Sequence, residues 1–143
     1  MTTPELELEV RRASDLFYEA LNRLLRGDPA PMLTVWAHGP DVISMHPFGG
    51  REMGWEQVRG VWDMWSSLTK GTIAAHEVII RVHGEVAYTT SIEKAKLFFG
   101  KKEVTVDGRA TNIFRRDNGQ WRLIHHHADV TPAAQEAIRK LVG

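Results

Sequence analysis

Three consecutive histidines, His125-His126-His127, close the most β-prone stretch of the chain, and a fourth, His46, sits just ahead of a Pro47-Phe48-Gly49-Gly50 turn. Imidazole changes protonation near neutral pH, so a histidine that faces a ligand can take and return a proton with little tuning. Neighbours in a strand point to opposite faces, so His125 and His127 share one face and His126 takes the other. With Asp117 to Gln120 as a hairpin loop, Arg116 falls opposite Trp121, Phe114 opposite Leu123, Asn112 opposite His125 and Ala110 opposite His127. The face carrying Ala110, Asn112, Phe114, Trp121, Leu123, His125 and His127 is the more apolar and aromatic, and is the expected inner face. Thr111, Ile113, Arg115, Arg122, Ile124 and His126 make the other, with the mixed composition of a half-wet surface or a subunit interface. A slip of one residue would exchange the two.

On that parity His125 and His127, with the Asn112 amide, form a polar patch inside an apolar cavity, the usual form of a small-molecule site. Asn112 can donate a hydrogen bond to a ligand oxygen without any change of protonation. His46 is the candidate general base; the competing role is a histidine that only ties down its turn. For the strand histidines the competing role is a satisfied buried network. Phe48, Trp62, Trp65 and Phe114 are candidate walls for a ring system, set against ordinary core packing. Tyr18 supplies either a phenolic donor or a hydroxyl at the core's rim. His46, His125 and His127 could in principle form a three-histidine metal site, but no HExxH or similar ligand spacing is present, so no metal is expected. Cysteine is absent, and there is no Gly-x-Ser-x-Gly elbow or glycine-rich phosphate loop. Thiol and serine nucleophiles and nucleotide cofactors are therefore disfavoured.

The elements that must hold these groups are legible as periodicities. Val10, Ala13, Phe17, Leu21 and Leu24 recur at three- and four-residue steps, which predicts a helix from about Pro4 to Arg26, ended by Gly27-Asp28-Pro29. A short helix is expected from about Ala30 to Ala37, an extended segment from Asp41 to His46, and a helix from Gly54 to Leu68. Strand character then covers 72–82, 86–99, 102–106, 109–116 and 121–130, separated by turn signals that include Asp107-Gly108 and Asn118-Gly119. Thr131-Pro132 opens a last short helix. Helices first and hairpins afterwards define an α+β chain with a mostly antiparallel sheet of about five to six strands. Its 143 residues suit one domain, 1–143.

Charge narrows the partners. Eighteen basic residues balance eighteen acidic ones, without the basic excess that nucleic-acid binding requires. The opening MTTPELELEVRR has no apolar run, and no stretch is long and apolar enough to span a bilayer. A cytoplasmic location is the expectation.

The order of elements, the segment Asp41-Val42-Ile43-Ser44-Met45-His46-Pro47-Phe48-Gly49-Gly50, the Asn112-Ile113-Phe114-Arg115 strand and the closing Trp121-Arg122-Leu123-Ile124-His125-His126-His127 together resemble the nuclear transport factor 2-like superfamily, in its SnoaL-like and ketosteroid-isomerase-like branch. The resemblance implies a cone-shaped, strongly bent sheet with three helices in the N-terminal half and a short C-terminal one, often a homodimer packed through the outer sheet face. It places the general base of the steroid isomerases at His46, one oxyanion-hole donor at Asn112 and another near Phe17 or Tyr18. Where the steroid isomerases use carboxylates tuned by their surroundings, this chain has a histidine and an amide. The expectation is a cofactor-free isomerase, cyclase or dehydratase acting on a small apolar carbonyl compound, with His46 moving the proton and Asn112 and His125 polarising the oxygen. The alternative is a non-catalytic ligand-binding or dimerisation domain of the same fold.

Overall fold

The computed structural model describes residues 2–142; Met1 and Gly143, the ends of the expected domain, lie outside the described residues. The chain runs α1 (Thr3–Leu24), α2 (Met32–Val35), β1 (Ile43–Met45), β2 (Glu52–Met53), α3 (Trp55–Gly60), α4 (Trp62–Leu68), β3 (Lys70–His83), β4 (Val86–Phe99), β5 (Lys102–Asp117), β6 (Gln120–Ala128) and α5 (Pro132–Val142). The strands form one six-stranded curved sheet in the order β2-β1-β6-β5-β4-β3. All neighbours are antiparallel except β1 and β6, which pair parallel.

Local chemistry sets the first helix. Thr2 caps α1 by accepting from the Glu5 backbone N–H, and the Glu5 carboxylate accepts from the Thr2 N–H in return. Val10, Phe17, Ala20 and Leu24 on its stripe are buried against the sheet. Asn22 then ties this helix to the sheet's edge. Its side chain accepts from the Ile73 N–H (2.8 Å) and donates to the Ile73 carbonyl (2.9 Å).

Two expectations about boundaries are corrected, and one strand is new. The helix expected over 54–68 breaks into α3 and α4 at Gly60-Val61. Asp107-Gly108 is not a turn, and β5 runs straight through it with Gly108 paired to Glu93. A Cβ on Gly108 would lie 3.3 Å from the Asp129 side chain, so the glycine admits a close approach. The two-residue strand β2, too short to show a period, opposes β1 through Ser44 and Glu52.

The largest correction concerns the closing hairpin. Phe114 pairs with Leu123 as expected, but Ile113 then pairs with His125 and Asn112 with His126, because Ile124 is an extra residue in β6. One bulged residue reverses the parity of everything after it. Trp121, Leu123, His126 and Ala128 are therefore buried. His125 and His127 point to the opposite face of the sheet, contrary to the expectation that they look inward.

Candidate functional site

The concave face of the sheet, α1, α2 and α4 enclose a cavity of about 90 Å³. Its walls are almost wholly apolar: Phe17, Leu21, Met32, Trp36, Phe48, Trp62, Trp65 and Leu97 among them, with Ser44, His46, Thr69, Glu93 and His126 as the polar exceptions. A void of this size is several times what one water needs, and suits a short-chain molecule better than a fused ring system. His46, Phe48, Trp62 and Trp65, expected at a ligand site, do line it. Tyr18 and Asn112 are buried behind the wall, bonded to Glu93 and His126; Phe114 is buried in the core without lining the cavity, and His125 and His127 lie outside it.

His46 follows β1, whose parallel pairing to β6 carries the chain across the concave face. Its ring packs against Trp65 (5.2 Å between centroids) and Phe48 (5.5 Å). Its Nε2 lies 2.9 Å from Oε1 of Glu52, with both side chains about 14% exposed or less. A carboxylate can only accept there, so the neutral imidazole carries its proton on Nε2 and its lone pair on Nδ1. That Nδ1 is buried and has no hydrogen-bond partner among the described residues. Gly50 makes room for the pair, since a Cβ there would sit 2.6 Å from the His46 Nε2 and 2.9 Å from the Glu52 carboxylate. The arrangement is a base oriented by an acid, with the basic nitrogen turned away from its anchor.

A second polar cluster lies deeper. His126, which the bulge turns inward, sits with Nδ1 2.6 Å from Oδ1 of Asn112. Asn112 Nδ2 donates to the Tyr18 hydroxyl (3.2 Å), and that hydroxyl donates to Oε2 of Glu93 (2.6 Å). Asn112 Oδ1 can only accept, so His126 donates, and all three donors point toward Glu93. Burial pushes Glu93 up to about 7, partly offset by the Tyr18 hydrogen bond. Tyr18 is pushed far above its ordinary value, first by burial and then by the charge and hydrogen bond of Glu93. His126 is driven down to about 3, first by burial and then by the neighbouring imidazoles, so it stays neutral. Outside the cavity, His125 is lowered by partial burial and by His127.

Glu52, Glu93 and the inward orientation of His126 are not among the residues expected from the sequence. Glu93 left a signal: Thr89, Ser91 and Glu93 occupy the same parity as Ala95, Leu97 and Phe99, so a carboxylate interrupts an apolar face. Glu52 left none. Among the described residues, no group of three or more His, Cys, Asp or Glu is placed to hold a metal ion, and no helix is long and apolar enough to cross a membrane.

A curved sheet with helices over its concave face and an apolar cavity between them defines a small-molecule-binding α+β domain. Residues 10–132 match the family of SnoaL-like domains, and the chain belongs to that family. Among solved structures it is similar to a protein of the nuclear transport factor 2-like family from Streptomyces avermitilis described as a "putative dehydratase": 26% identity, TM-score 0.79, covering 91% of this chain and 99% of that one. A nuclear transport factor 2-like superfamily protein from Salmonella enterica serovar Typhimurium shares the fold at 19% identity and TM-score 0.78, covering 90% of this chain and 93% of that one. Among curated proteins it is 27% identical over 103 residues to the F-box protein SKIP8 of Arabidopsis thaliana, covering 69% of this chain. The chain spans about two fifths of that relative's length (41%).

Proposed function

We propose that this domain is a cofactor-free proton-transfer enzyme of the isomerase, cyclase or dehydratase type, acting on a small, largely apolar carbonyl compound, with His46 Nδ1 as the general base. The observation that carries this reading is the state of one imidazole. Its Nε2 is anchored to Glu52, while its Nδ1 is buried without a partner in a residue that walls an apolar cavity. A histidine that merely tied down its turn would use its second nitrogen to accept from a backbone N–H. Water exclusion by Phe48, Trp62 and Trp65 would strengthen the base toward a carbon-bound proton. Asn112, expected to polarise the substrate oxygen, is instead engaged by His126 and Tyr18, and His125 lies on the other face. Neither is assigned that role.

The test needs no knowledge of the natural substrate. Wild-type protein and His46→Gln are incubated in D₂O with short methyl ketones and followed by NMR. Catalysed deuterium uptake next to the carbonyl, lost at least 100-fold in the variant, is the expected result. Equal uptake in both would remove His46 from the chemistry.

The alternative, a binding domain without chemistry, draws its support from the indole N–H groups of Trp36 and Trp65 and the hydroxyl of Thr69, which have no partner among the described residues and all belong to residues of the cavity wall. It predicts ligand-dependent stabilisation with no exchange. A homodimer through the outer sheet face is also proposed. Half-exposed Val86, Tyr88 and Phe98 alternate along β4 on that side. Light scattering showing a monomer at micromolar concentration would remove it.

A further inference from the structure

The His46 reading leaves one buried titratable group unused. Glu93 lies on the wall of the same cavity and is 1% exposed. Among the described residues its one hydrogen-bond partner is the neutral Tyr18 hydroxyl, and it makes no ion pair with a cation. No Lys or Arg lines the cavity. An isolated carboxylate is costly to bury, so the group keeps a proton unless something in the cavity takes it.

Its placement relative to His46 is set by the sheet. Ser44, His126, Asn112 and Thr89 form one row across four strands, β1, β6, β5 and β4. His46 comes from the β1 end and Glu93 from β4, three strand spacings of about 4.8 Å apart along a curved surface. Both line the same cavity, and among the described residues no hydrogen bond or ion pair joins them, His46 being held by Glu52 and Glu93 by Tyr18. A small molecule in the cavity can meet both.

Resting on the reading of His46 as the base, we infer that Glu93 is a second proton-handling residue of this cavity, and that the compound bound between the two is a β-hydroxy carbonyl from which water is eliminated. The step balances. His46 Nδ1 takes the proton from the carbon next to the carbonyl, and that C–H pair becomes the new C=C bond. The C–O bond at the β carbon breaks, and the departing hydroxyl leaves as water with the proton from Glu93. His46 ends protonated and Glu93 ionised, and the proton gained returns to Glu93 through the released water. No oxidant, metal or other co-reactant is needed.

The buried relay fits the ionised half of that cycle. His126, Asn112 and Tyr18 donate in series toward Glu93, so the carboxylate left behind is met by a hydroxyl already polarised in its favour. Asn112 sets the direction of the chain, because its Oδ1 can only accept from His126 while its Nδ2 donates to Tyr18. A group that titrates near the working pH is also the effective kind of acid, and burial places Glu93 at about 7.

Two measurements test the inference, and they separate it from the base assignment. The first needs no ligand. Full-length protein labelled with ¹³C at glutamate carboxyls is titrated by NMR from pH 5 to 9, with Glu93→Gln assigning the signal. A carboxyl that changes state around neutral pH is expected. One that stays ionised throughout overturns the inference and leaves His46 untouched. The second uses 4-hydroxybutan-2-one and 4-chlorobutan-2-one as probes. Wild-type protein should exchange deuterium next to the carbonyl and eliminate from both. Glu93→Gln should lose elimination of water at least 100-fold more than it loses exchange. Elimination of chloride, which leaves without a proton, should change in step with exchange rather than with elimination of water. Equal loss of exchange and both eliminations would make Glu93 structural and overturn the inference. Water elimination unchanged in Glu93→Gln would overturn it too. Wild-type protein that exchanges but never eliminates water would refute this step alone. Wild-type protein that neither exchanges nor eliminates would refute the base assignment and this step with it.

Discussion

Replacing Glu93 by glutamine should stabilise the protein at high pH and leave it nearly unchanged at low pH. Burial lifts the carboxyl from an ordinary 4.5 to about 7, so between those values the folded state holds a proton that the unfolded chain has released. Stability then falls as pH rises through this window, because its slope follows the protons bound when unfolded minus those bound when folded. At about 1.4 kcal/mol per unit, the full penalty above neutrality is about 3 kcal/mol. Glutamine never ionises, and its amide oxygen can still accept from the Tyr18 hydroxyl. The groups that face this position are common to both proteins: Tyr18 from α1, Ser91 on the same strand, Asn112 from β5, His126 from β6, and His46 across the cavity. The difference between the two proteins therefore isolates Glu93. Urea unfolding at pH 5 and pH 8.5 is the assay. The expected result is near-equal stability at pH 5 and an advantage of about 3 kcal/mol for the variant at pH 8.5, on the order of 10 °C in Tm. A pH-independent difference, or a variant that is weaker at pH 8.5, would refute the reasoning that the carboxyl is buried without a cation.

Other perturbations test the remaining joints. His126 is held near 3 by burial while an unfolded histidine titrates near 6.5, so the unfolded state binds the extra proton between them and acid destabilises the fold there. His126→Asn should flatten the urea-unfolding stability profile below pH 6.5 by up to about 1.4 kcal/mol per unit, and an unchanged slope would contradict its burial. Gly50→Ala places a methyl group against His46 and Glu52. Deuterium exchange should fall ten- to 100-fold, with Tm changed by only a few degrees, and full activity would show that the pair is not needed. Deleting Ile124 removes the bulge while leaving His126 opposite Asn112, so the variant should fold with a loss of about 1–2 kcal/mol by urea titration. Deleting Ile113 instead turns Asn112 to the wrong face and should prevent a cooperative unfolding transition.

Much of this architecture can be read in the amino acids, because long elements carry a period. The α1 stripe, the hairpin turns at Gly84 and Asn118-Gly119 and the strand runs of β3 to β6 each repeat often enough to state their own type. His46 was legible for a different reason, its place ahead of the Pro47 turn in a segment that resembles the SnoaL-like branch. What escaped was set by single residues. Ile124 adds one position to β6, and no local pattern distinguishes a bulged isoleucine from a paired one, so the inner histidine is the middle one of the three. Glu52 reaches His46 from a two-residue strand that exists only because β1 is there to pair with it. Asp107-Gly108 has turn chemistry, yet fourteen consecutive pairs with β4 override it. In each case a tertiary partner decided what the neighbours in sequence could not.

The two cavity histidines should hold their protons on opposite nitrogens, and long-range ¹H–¹⁵N NMR of imidazole-labelled protein at neutral pH reads this directly. The account predicts that His46 is protonated on Nε2 with a free Nδ1, and that His126 is protonated on Nδ1. A proton on Nδ1 of His46 would move the lone pair to Nε2, against the Glu52 carboxylate, and would contradict it.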